Sequence, residues 1–209
     1  MGSGSGRRLA SRLVKKLILG SLFLFLVTAS LLWFVHRPWA LNWGATDEEI
    51  GRAMVGDEIV GAPTFNATRA VTIDAPPEEI WPWLVQMGYL KAGFYSYDRL
   101  DNDGVPSAER IIPEYQGLAV GDSMPLTEHV SAQVVAMNPN QSMLWVIEHG
   151  EVWTWVWGLY PLNEQETRLV TRLRVRFNKV GTRIVADLGE IIMMRKCMLG
   201  IKRRAEAAS

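Results

Sequence analysis

The segment EVWTWVWGLYPLNEQETRLVTRLRVRF at residues 151–177 decides the fold class, because it contains two alternating runs that are joined by a polar turn. In residues 151–160 three tryptophans alternate with smaller residues, and in residues 171–177 three arginines alternate with mostly apolar ones. A period of two is typical of β-strands. The polar residues 163–166 suit the turn of a hairpin. The segment therefore predicts two neighbouring antiparallel strands.

The register of this hairpin follows from its turn, across which we pair Leu162 with Thr167. The tryptophans and arginines then lie opposite one another and form a ladder of cation–π contacts, each contributing about 0.5 to 1 kcal/mol when exposed. A slip of one residue would instead turn the tryptophans toward a cavity. The ladder is the preferred interpretation. Its predicted pairs are Trp157 with Arg172, Trp155 with Arg174, and Trp153 with Arg176.

Patterns on both sides of the hairpin extend the prediction to a complete domain. Residues 131–137 and 143–148 are strand-like, so the hairpin continues an antiparallel meander. Residues 69–74 predict one earlier strand, and residues 78–87 predict a helix that follows the break at 75–77. A long helical pattern over 183–207 closes the chain. The predicted fold class is α+β, with the final helix lying across the sheet.

The remaining segments carry weaker signals. Thr46 precedes three acidic residues and predicts the N-cap of a short helix that ends at Met54. Residues 89–116 have no clean period and predict long loops with one short helical turn. Gly121 and Asp122 suit a turn.

Composition excludes several classes of protein. The 209 residues are 48% hydrophobic with a formal net charge of zero, which argues against disorder and against a free-standing nucleic-acid binder. The single cysteine, Cys197, excludes an intramolecular disulfide and a multi-cysteine metal site. The three histidines, His36, His129 and His149, are too dispersed for a metal cluster. We therefore predict no metal, no other cofactor and no nucleic-acid partner.

An uncharged stretch at residues 17–35 predicts a transmembrane helix, which with Pro38 as helix breaker ends near His36. Basic residues precede the stretch and few follow it, so the N-terminus is expected in the cytoplasm and the globular part on the extracytoplasmic side of the cell membrane. A cleaved signal peptide is the alternative. The predicted divisions are a basic tail (1–16), a single transmembrane helix (17–36), a lead-in segment (37–67) and a globular domain (68–209).

The chain after Trp43 resembles the START-like, helix-grip superfamily, often labelled SRPBCC, which includes bacterial polyketide cyclase/dehydratase-like proteins. We assign it to a membrane-anchored bacterial subgroup. The motifs that carry the resemblance are WGATDEE at 43–49, TRAVTIDAPPEEIWPWLVQMG at 68–88, AGFYSYDRLDN at 92–102, SAERIIPEYQGLAVGD at 107–122, TRLVTRLRVRF at 167–177 and MLGIKRRAE at 198–206.

The resemblance implies a helix-grip fold, in which a curved antiparallel sheet wraps around the long C-terminal helix and a hydrophobic cavity lies between them. In the wider superfamily this cavity holds lipids, sterols or polyketide-like molecules. No catalytic signature transfers residue by residue. The side chains that we expect to line the cavity or its mouth are Trp83, Phe94, Tyr95, Tyr97, Asp98, Trp145, Trp155, Arg172, Met194 and Met198.

Alternatives exist for several of these residues. Tyr95, Tyr97 and Asp98 suit either the polar end of a ligand or a packed loop. Residues 101–104 resemble a calcium loop, but the frame fails and an Asp-rich turn is expected. His129 and His149 are weak candidates for a general base. Cys197 and the helix methionines suit a core as well as a ligand wall.

Three functions are compatible with these patterns. The preferred one is a membrane-anchored domain that binds or handles a lipid or hydrophobic small molecule. The second is a cyclase/dehydratase-like enzyme that uses Tyr, Asp or Arg groups of the cavity. The third is an accessory or scaffold subunit of a membrane complex, docked through the face that carries the tryptophans and arginines.

Overall fold

The computed structural model describes residues 3–178 and 180–207, with side chains described for 14–178, 181 and 192–207. The chain divides into two units, Met1–Ala40 and Leu41–Ser209. The first unit is helical. Its elements are α1 (Ser3–Leu31), a π-helical turn (Leu32–His36) and the start of α2 (Arg37–Leu41).

The prediction that Pro38 ends the first helix is wrong, because helical structure continues to Leu41. The N–H of Arg37 donates to the carbonyl of Leu32, five residues back, which is the π-helical bond. Pro38 then lies in the first turn of α2, where its missing N–H would have had no partner within that helix. The helical stretch Val14–Leu41 is long and apolar enough to cross a membrane, with a mean hydropathy of 2.3 in its most apolar window. An apolar N-terminal helix of this kind serves as a membrane anchor or as a signal sequence.

The second unit contains a six-stranded antiparallel sheet and a long C-terminal helix, so the α+β helix-grip prediction is confirmed. The strand order is β1-β6-β5-β4-β3-β2. The strands are β1 (Phe65–Ile73), β2 (Ser123–Pro125), β3 (Ser131–Asn138), β4 (Ser142–His149), β5 (Glu151–Pro161) and β6 (Thr167–Val175). The helices are α3 (Asp47–Gly51), α4 (Pro77–Val85), α5 (Asp98–Asp101) and α6 (Val180–Glu206), with a 3₁₀ turn at Pro113–Tyr115.

Most predicted elements lie within two or three residues of their predicted bounds. The exceptions are β2, which the sequence did not indicate, and β1, which begins four residues before the predicted start at Arg69. Asn66 and Ala67 are poor strand formers, but Phe65 pairs with Val175 and extends the strand. The loop region contains two short turns instead of one.

The predicted register of the β5–β6 hairpin is wrong by one residue. Pro161, not Leu162, pairs with Thr167, because the Leu162 N–H donates to the Glu166 carbonyl and this bond closes the turn. Each tryptophan therefore lies opposite an uncharged residue: Trp153 opposite Val175, Trp155 opposite Leu173, and Trp157 opposite Thr171. This register places the tryptophans on the same face as Leu169, Leu173 and Val175 of β6, which buries more apolar surface than the predicted ladder.

The two faces of the sheet have different coverings. The inner face carries the three tryptophans of β5, and the largest apolar cluster joins this face to α4 and α6. The outer face is covered by residues of the 41–64 segment, where Met54 packs against Ala70, Leu144 and Val156. The tryptophans of β5 and the arginines of β6 lie on opposite faces, so the combined Trp/Arg docking face of the scaffold hypothesis is not formed.

Three arginines of β6 attach the 41–64 segment to the outer face. Arg168 donates from Nε to Glu49 at 2.6 Å, and Asp57 forms ion pairs with Arg172 at 2.6 Å and with Arg174 at 2.7 Å. Burial alone would raise the pKa values of both carboxyl groups. Hydrogen bonds and the arginine charges outweigh it and hold both pKa values below their ordinary range.

Thr46 is the N-cap of α3, as predicted. Its hydroxyl accepts from the Glu49 N–H at 3.2 Å, and the Glu49 carboxylate accepts from the Thr46 N–H at 2.8 Å, which completes a capping box. The helix ends at Gly51 and not at Met54. The cap thus fixes the orientation of the carboxylate that Arg168 binds.

Candidate functional site

A cavity of about 490 Å³ lies between the inner face of the sheet and α6. Its walls are formed by the ends of β4 and β5, by β6, by α5 and α6, and by the connections that precede α5 and β3. It is partly open to solvent, because Thr127 and His149 of its lining are exposed. The lining residues are Phe94, Ser96, Leu100, Asp101, Leu126, Thr127, Val130, Ile147, His149, Trp153, Trp155, Leu173, Met193, Met194 and Cys197.

The strands supply a rigid apolar wall. Ile147, Trp155 and Leu173 face the cavity because alternate residues of a strand point to the same side. The Trp155 indole N–H donates to the Thr171 hydroxyl at 2.9 Å, and that hydroxyl donates to the Val156 carbonyl at 2.9 Å. Trp155 also packs edge to face on Trp145, with ring centroids 5.1 Å apart. The ring on the wall is therefore held in one orientation.

Helix α6 forms the opposite wall with Met194 and the thiol of Cys197, both of which are buried. Ser96 attaches the neighbouring connection to this helix, because its hydroxyl donates to the Met193 carbonyl at 3.0 Å. Unbranched methionine side chains adapt to ligands of different shape. This wall is softer than the wall of the strands.

The polar residues of the lining differ in exposure. Thr127 and His149 are exposed, whereas the Oδ1 atom of Asp101 is buried and has no hydrogen-bond partner among the residues that the structure describes. Burial, and then the charge of Asp98, raise the pKa of the Asp101 carboxyl. Asp101 is the one carboxyl group among the described residues of an otherwise largely apolar wall.

Of the ten side chains predicted for the cavity, the structure brings three to its lining: Phe94, Trp155 and Met194. Trp145 and Met198 lie in the core behind the walls, where both are fully buried. Tyr97 is exposed, and its ring contacts the Lys196 ammonium, which lies 3.8 Å from the ring centroid. These last three side chains do not line the cavity.

Tyr95 attaches its loop to the body of the domain. It is buried with a positive φ of 58°, its hydroxyl donates to the Trp83 carbonyl at 2.9 Å, and its N–H donates to the Ser107 hydroxyl at 3.0 Å. Ser107 in turn donates to Asp98 at 2.5 Å. Burial raises the pKa of the Tyr95 phenol, so it stays neutral. Trp83 packs edge to face on Tyr95, and this group of side chains is structural.

Arg172 does not line the cavity but lies on the outer face of the sheet. Its guanidinium is buried and donates to Thr68, to Asp57, and to the carbonyls of Arg52, Glu49 and Ile50. All its donor directions are used within the fold. The register error explains the difference, because on the predicted register Arg172 would lie opposite Trp157.

Sequence reasoning missed much of the lining for two reasons. The correct register would have predicted Ile147, Trp153 and Leu173 in the lining. Ile147 lies opposite Trp153, and Leu173 lies opposite Trp155, so all of them share the inner face. Leu126, Thr127 and Val130 follow a strand of three residues, which is too short to give a period. Asp101 was assigned to an Asp-rich turn, and no local signal indicates its burial.

Among the described residues, no group of three or more His, Cys, Asp or Glu side chains is placed to hold a metal ion. The arrangement suits the burial of an apolar molecule with a small number of polar contacts. The fold and the site together define a class of protein, namely a helix-grip domain with an open apolar cavity.

A scan of protein-family models finds no match, and neither does a search of curated proteins. Solved structures that are similar include a protein of Nitrosospira multiformis, with 12% identity, a TM-score of 0.47 and coverage of 69% of this chain and 99% of that one. CalU16 of Micromonospora echinospora has 15% identity, a TM-score of 0.37 and coverage of 68% and 84%. DynU16, a protein in the dynemicin biosynthetic locus, has 13% identity, a TM-score of 0.43 and coverage of 70% and 49%. The identities and TM-scores are low, and the fold assignment depends on the strand order and register given above.

Proposed function

We propose that the chain is a membrane-anchored START-like domain that binds a lipid or another hydrophobic small molecule in its cavity. The observation that carries the proposal is the cavity itself. Its volume of about 490 Å³ lies within the range of about 300 to 1,000 Å³ that is typical of ligand pockets. Apolar side chains from the strands, the connections and α6 supply most of its lining. Transfer of an apolar ligand from water to such a lining is favourable by about 25 cal/mol per Å² buried.

Filling the cavity will abolish this binding. We expect that Ile147→Trp, on the wall formed by β4, reduces the amount of copurifying ligand at least about tenfold, because the indole occupies the space of the ligand. The measurement is extraction of the detergent-purified full chain followed by mass spectrometry of the released small molecules.

The matched control is Val152→Trp, which enlarges an exposed side chain of β5 that is not part of the lining. It should copurify with the same ligand as the wild-type chain. A wild-type domain that is reproducibly empty, or equal ligand content in both variants, would contradict the binding function.

The anchor and its orientation are part of the proposal. Apolar residues of α1 are exposed along its length, and Trp33 and Trp39 follow them, with the Arg37 guanidinium 5.0 Å from the Trp33 ring centroid. Tryptophan at the end of an apolar helix suits the headgroup layer of a bilayer. The basic residues of the N-terminal tail favour a cytoplasmic N-terminus, with the domain on the extracytoplasmic side.

Labelling of cysteines in intact cells tests this topology. In a Cys197→Ala background, we expect that Leu162→Cys, at the exposed turn between β5 and β6, reacts with a membrane-impermeant maleimide. A cysteine at position 11 should react only after lysis. The reverse pattern would refute the orientation, and an intact mass that lacks the first helix would identify a signal peptide instead of an anchor.

The enzymatic alternative has less support than binding. It needs polar groups that converge inside the cavity. Of the four side chains that sequence reasoning favoured, Tyr95 is bonded within its loop, Tyr97 is exposed, Asp98 is bonded to Ser107, and Arg172 lies on the other face of the sheet. The third function, an accessory or scaffold subunit that binds a protein partner in a membrane complex, stays a prediction.

A further inference from the structure

The strands line the cavity from one end of the sheet. Because the sheet is antiparallel, the starts of β1, β3 and β5 lie beside the ends of β4 and β6. Among the lining residues, His149 ends β4, Trp153 is the third residue of β5, and Leu173 is the third from the end of β6. Val130 directly precedes β3. The cavity thus lies at this end of the sheet, which we call the mouth end and which is formed by Phe65, Ser131, His149, Glu151 and Val175.

The chain enters the domain at the mouth end. Leu41, the first residue of the second unit, is buried in one apolar cluster with Phe65 and Val175, which pair with each other at this end of β1 and β6. Leu173 belongs both to this cluster and to the cavity lining, and Trp153 of the lining packs against the cluster. The entry point of the chain and the cavity are therefore neighbours within the domain.

The length of the helix that precedes Leu41 brings this entry point close to the bilayer surface. The helical stretch Val14–Leu41 continues past Val35, the last residue of the uncharged stretch, by about 9 Å at 1.5 Å per residue. The polar layer on each side of the hydrocarbon core is about 5 to 8 Å thick. At any angle between helix and domain, the entry point is the part of an anchored domain that lies nearest to the bilayer.

We propose that the cavity exchanges its ligand directly with the bilayer through the mouth end, and that the ligand is an acyl-chain compound of the membrane that enters with its chain first. This inference rests on the proposed binding function and its anchor. Leu100 lines the cavity and is 71% exposed, and Ile147 and Leu173 continue the apolar surface inward. Thr127 and His149, the exposed polar residues of the lining, suit contact with the headgroup. Direct transfer keeps the acyl chain out of water, whose contact with apolar surface is unfavourable.

Quenching of a fluorophore by lipid headgroups tests the position of the mouth end. In the Cys197→Ala background, Glu128→Cys carries nitrobenzoxadiazole at the mouth end, and Leu162→Cys carries it at the opposite end, beyond the last residue of β5. The eleven residues of β5 separate the two ends by about 35 Å. In phosphatidylcholine nanodiscs with a nitroxide on the headgroups, we expect at least about threefold stronger quenching at position 128, because quenching by a nitroxide is short-ranged compared with this separation. Equal quenching, or stronger quenching at position 162, would overturn the proposal.

Photo-crosslinking tests the route of the ligand. The full chain is placed in nanodiscs of phosphatidylcholine that has a diazirine in one acyl chain, since a lipid with two chains stays in the bilayer. After irradiation, we expect adducts on Trp153 and Trp155 of the lining and on the anchor helix, whose adducts are the internal standard. Leu100→Glu should reduce the ratio of cavity to anchor adducts at least about fivefold, because it places a charge on the path of the acyl chain.

The control variant is Leu162→Glu, which places the same charge on an exposed leucine at the opposite end of the sheet. It should leave the ratio of adducts unchanged. Adducts on the anchor without adducts in the cavity, or equal effects of the two variants, would overturn exchange with the bilayer. The proposed function stands in that case if the purified chain still releases a ligand on extraction. Absence of both cavity adducts and copurifying ligand would overturn both.

Discussion

Replacing Asp57 with alanine will lower the free energy of unfolding by about 3 kcal/mol, because it leaves a buried arginine without its counterion. The Arg172 side chain is 4% exposed, and its ion pair with Asp57 is 2.6 Å long. Arg174 contacts the other carboxylate oxygen, so the substitution also leaves two neighbouring cations on one strand face. The Met54 N–H loses its acceptor as well. Chemical unfolding of the full chain in detergent, followed by tryptophan fluorescence, measures the change.

The control for this experiment is Glu58→Ala at the neighbouring position. Glu58 is exposed, and its substitution removes the same charge. It should change the free energy of unfolding by less than about 0.5 kcal/mol. If Asp57→Ala and Glu58→Ala have the same effect, the attachment of the 41–64 segment does not depend on Asp57.

Replacing Trp145 with alanine will lower the free energy of unfolding by about 3 to 5 kcal/mol, which is the range for removal of a large buried aromatic side chain. Trp145 is fully buried, and its ring packs edge to face on Trp155 and on Trp157, at centroid distances of 5.1 and 6.2 Å. The substitution leaves a void behind the wall that Trp155 forms. The same unfolding experiment measures the change in the free energy of unfolding.

Trp145→Phe tests how much of this loss comes from removal of the aromatic ring. The Trp145 indole N–H has no hydrogen-bond partner among the described residues, so phenylalanine removes an unsatisfied donor while it keeps an aromatic ring. We expect a loss of less than about 1.5 kcal/mol. A loss as large as that of the alanine variant would contradict this packing role.

The elements of this fold were more predictable than their pairing. Strands β3 to β6 and helix α6 follow from local periodicity, since each is long enough to repeat its pattern several times. The β5–β6 register depends instead on where one turn closes, and a difference of one residue moved three tryptophans to the other face. The predicted pairing was inferred from the turn alone. The contacts between tryptophan and arginine that it implied are weaker than the burial of apolar surface in the observed pairing.

The candidate site was predictable only in part for a related reason. Phe94, Trp155 and Met194 were predicted because they lie in segments that are rich in aromatic residues or methionine. Leu126 and Val130 reach the cavity through a connection without regular structure, and the burial of the Asp101 Oδ1 atom depends on tertiary contacts. Sequence periodicity carries no information on such contacts.

Besides α6, the cavity wall is divided between strands and the shorter segments that connect them. Trp155 and Leu173 belong to the pairing of the sheet, whereas Leu100, Thr127 and Val130 lie outside its strands. Substitutions in the connections are tolerated more readily than substitutions in the sheet. Relatives of this domain can therefore diverge in ligand preference through a small set of peripheral positions while they inherit the same scaffold.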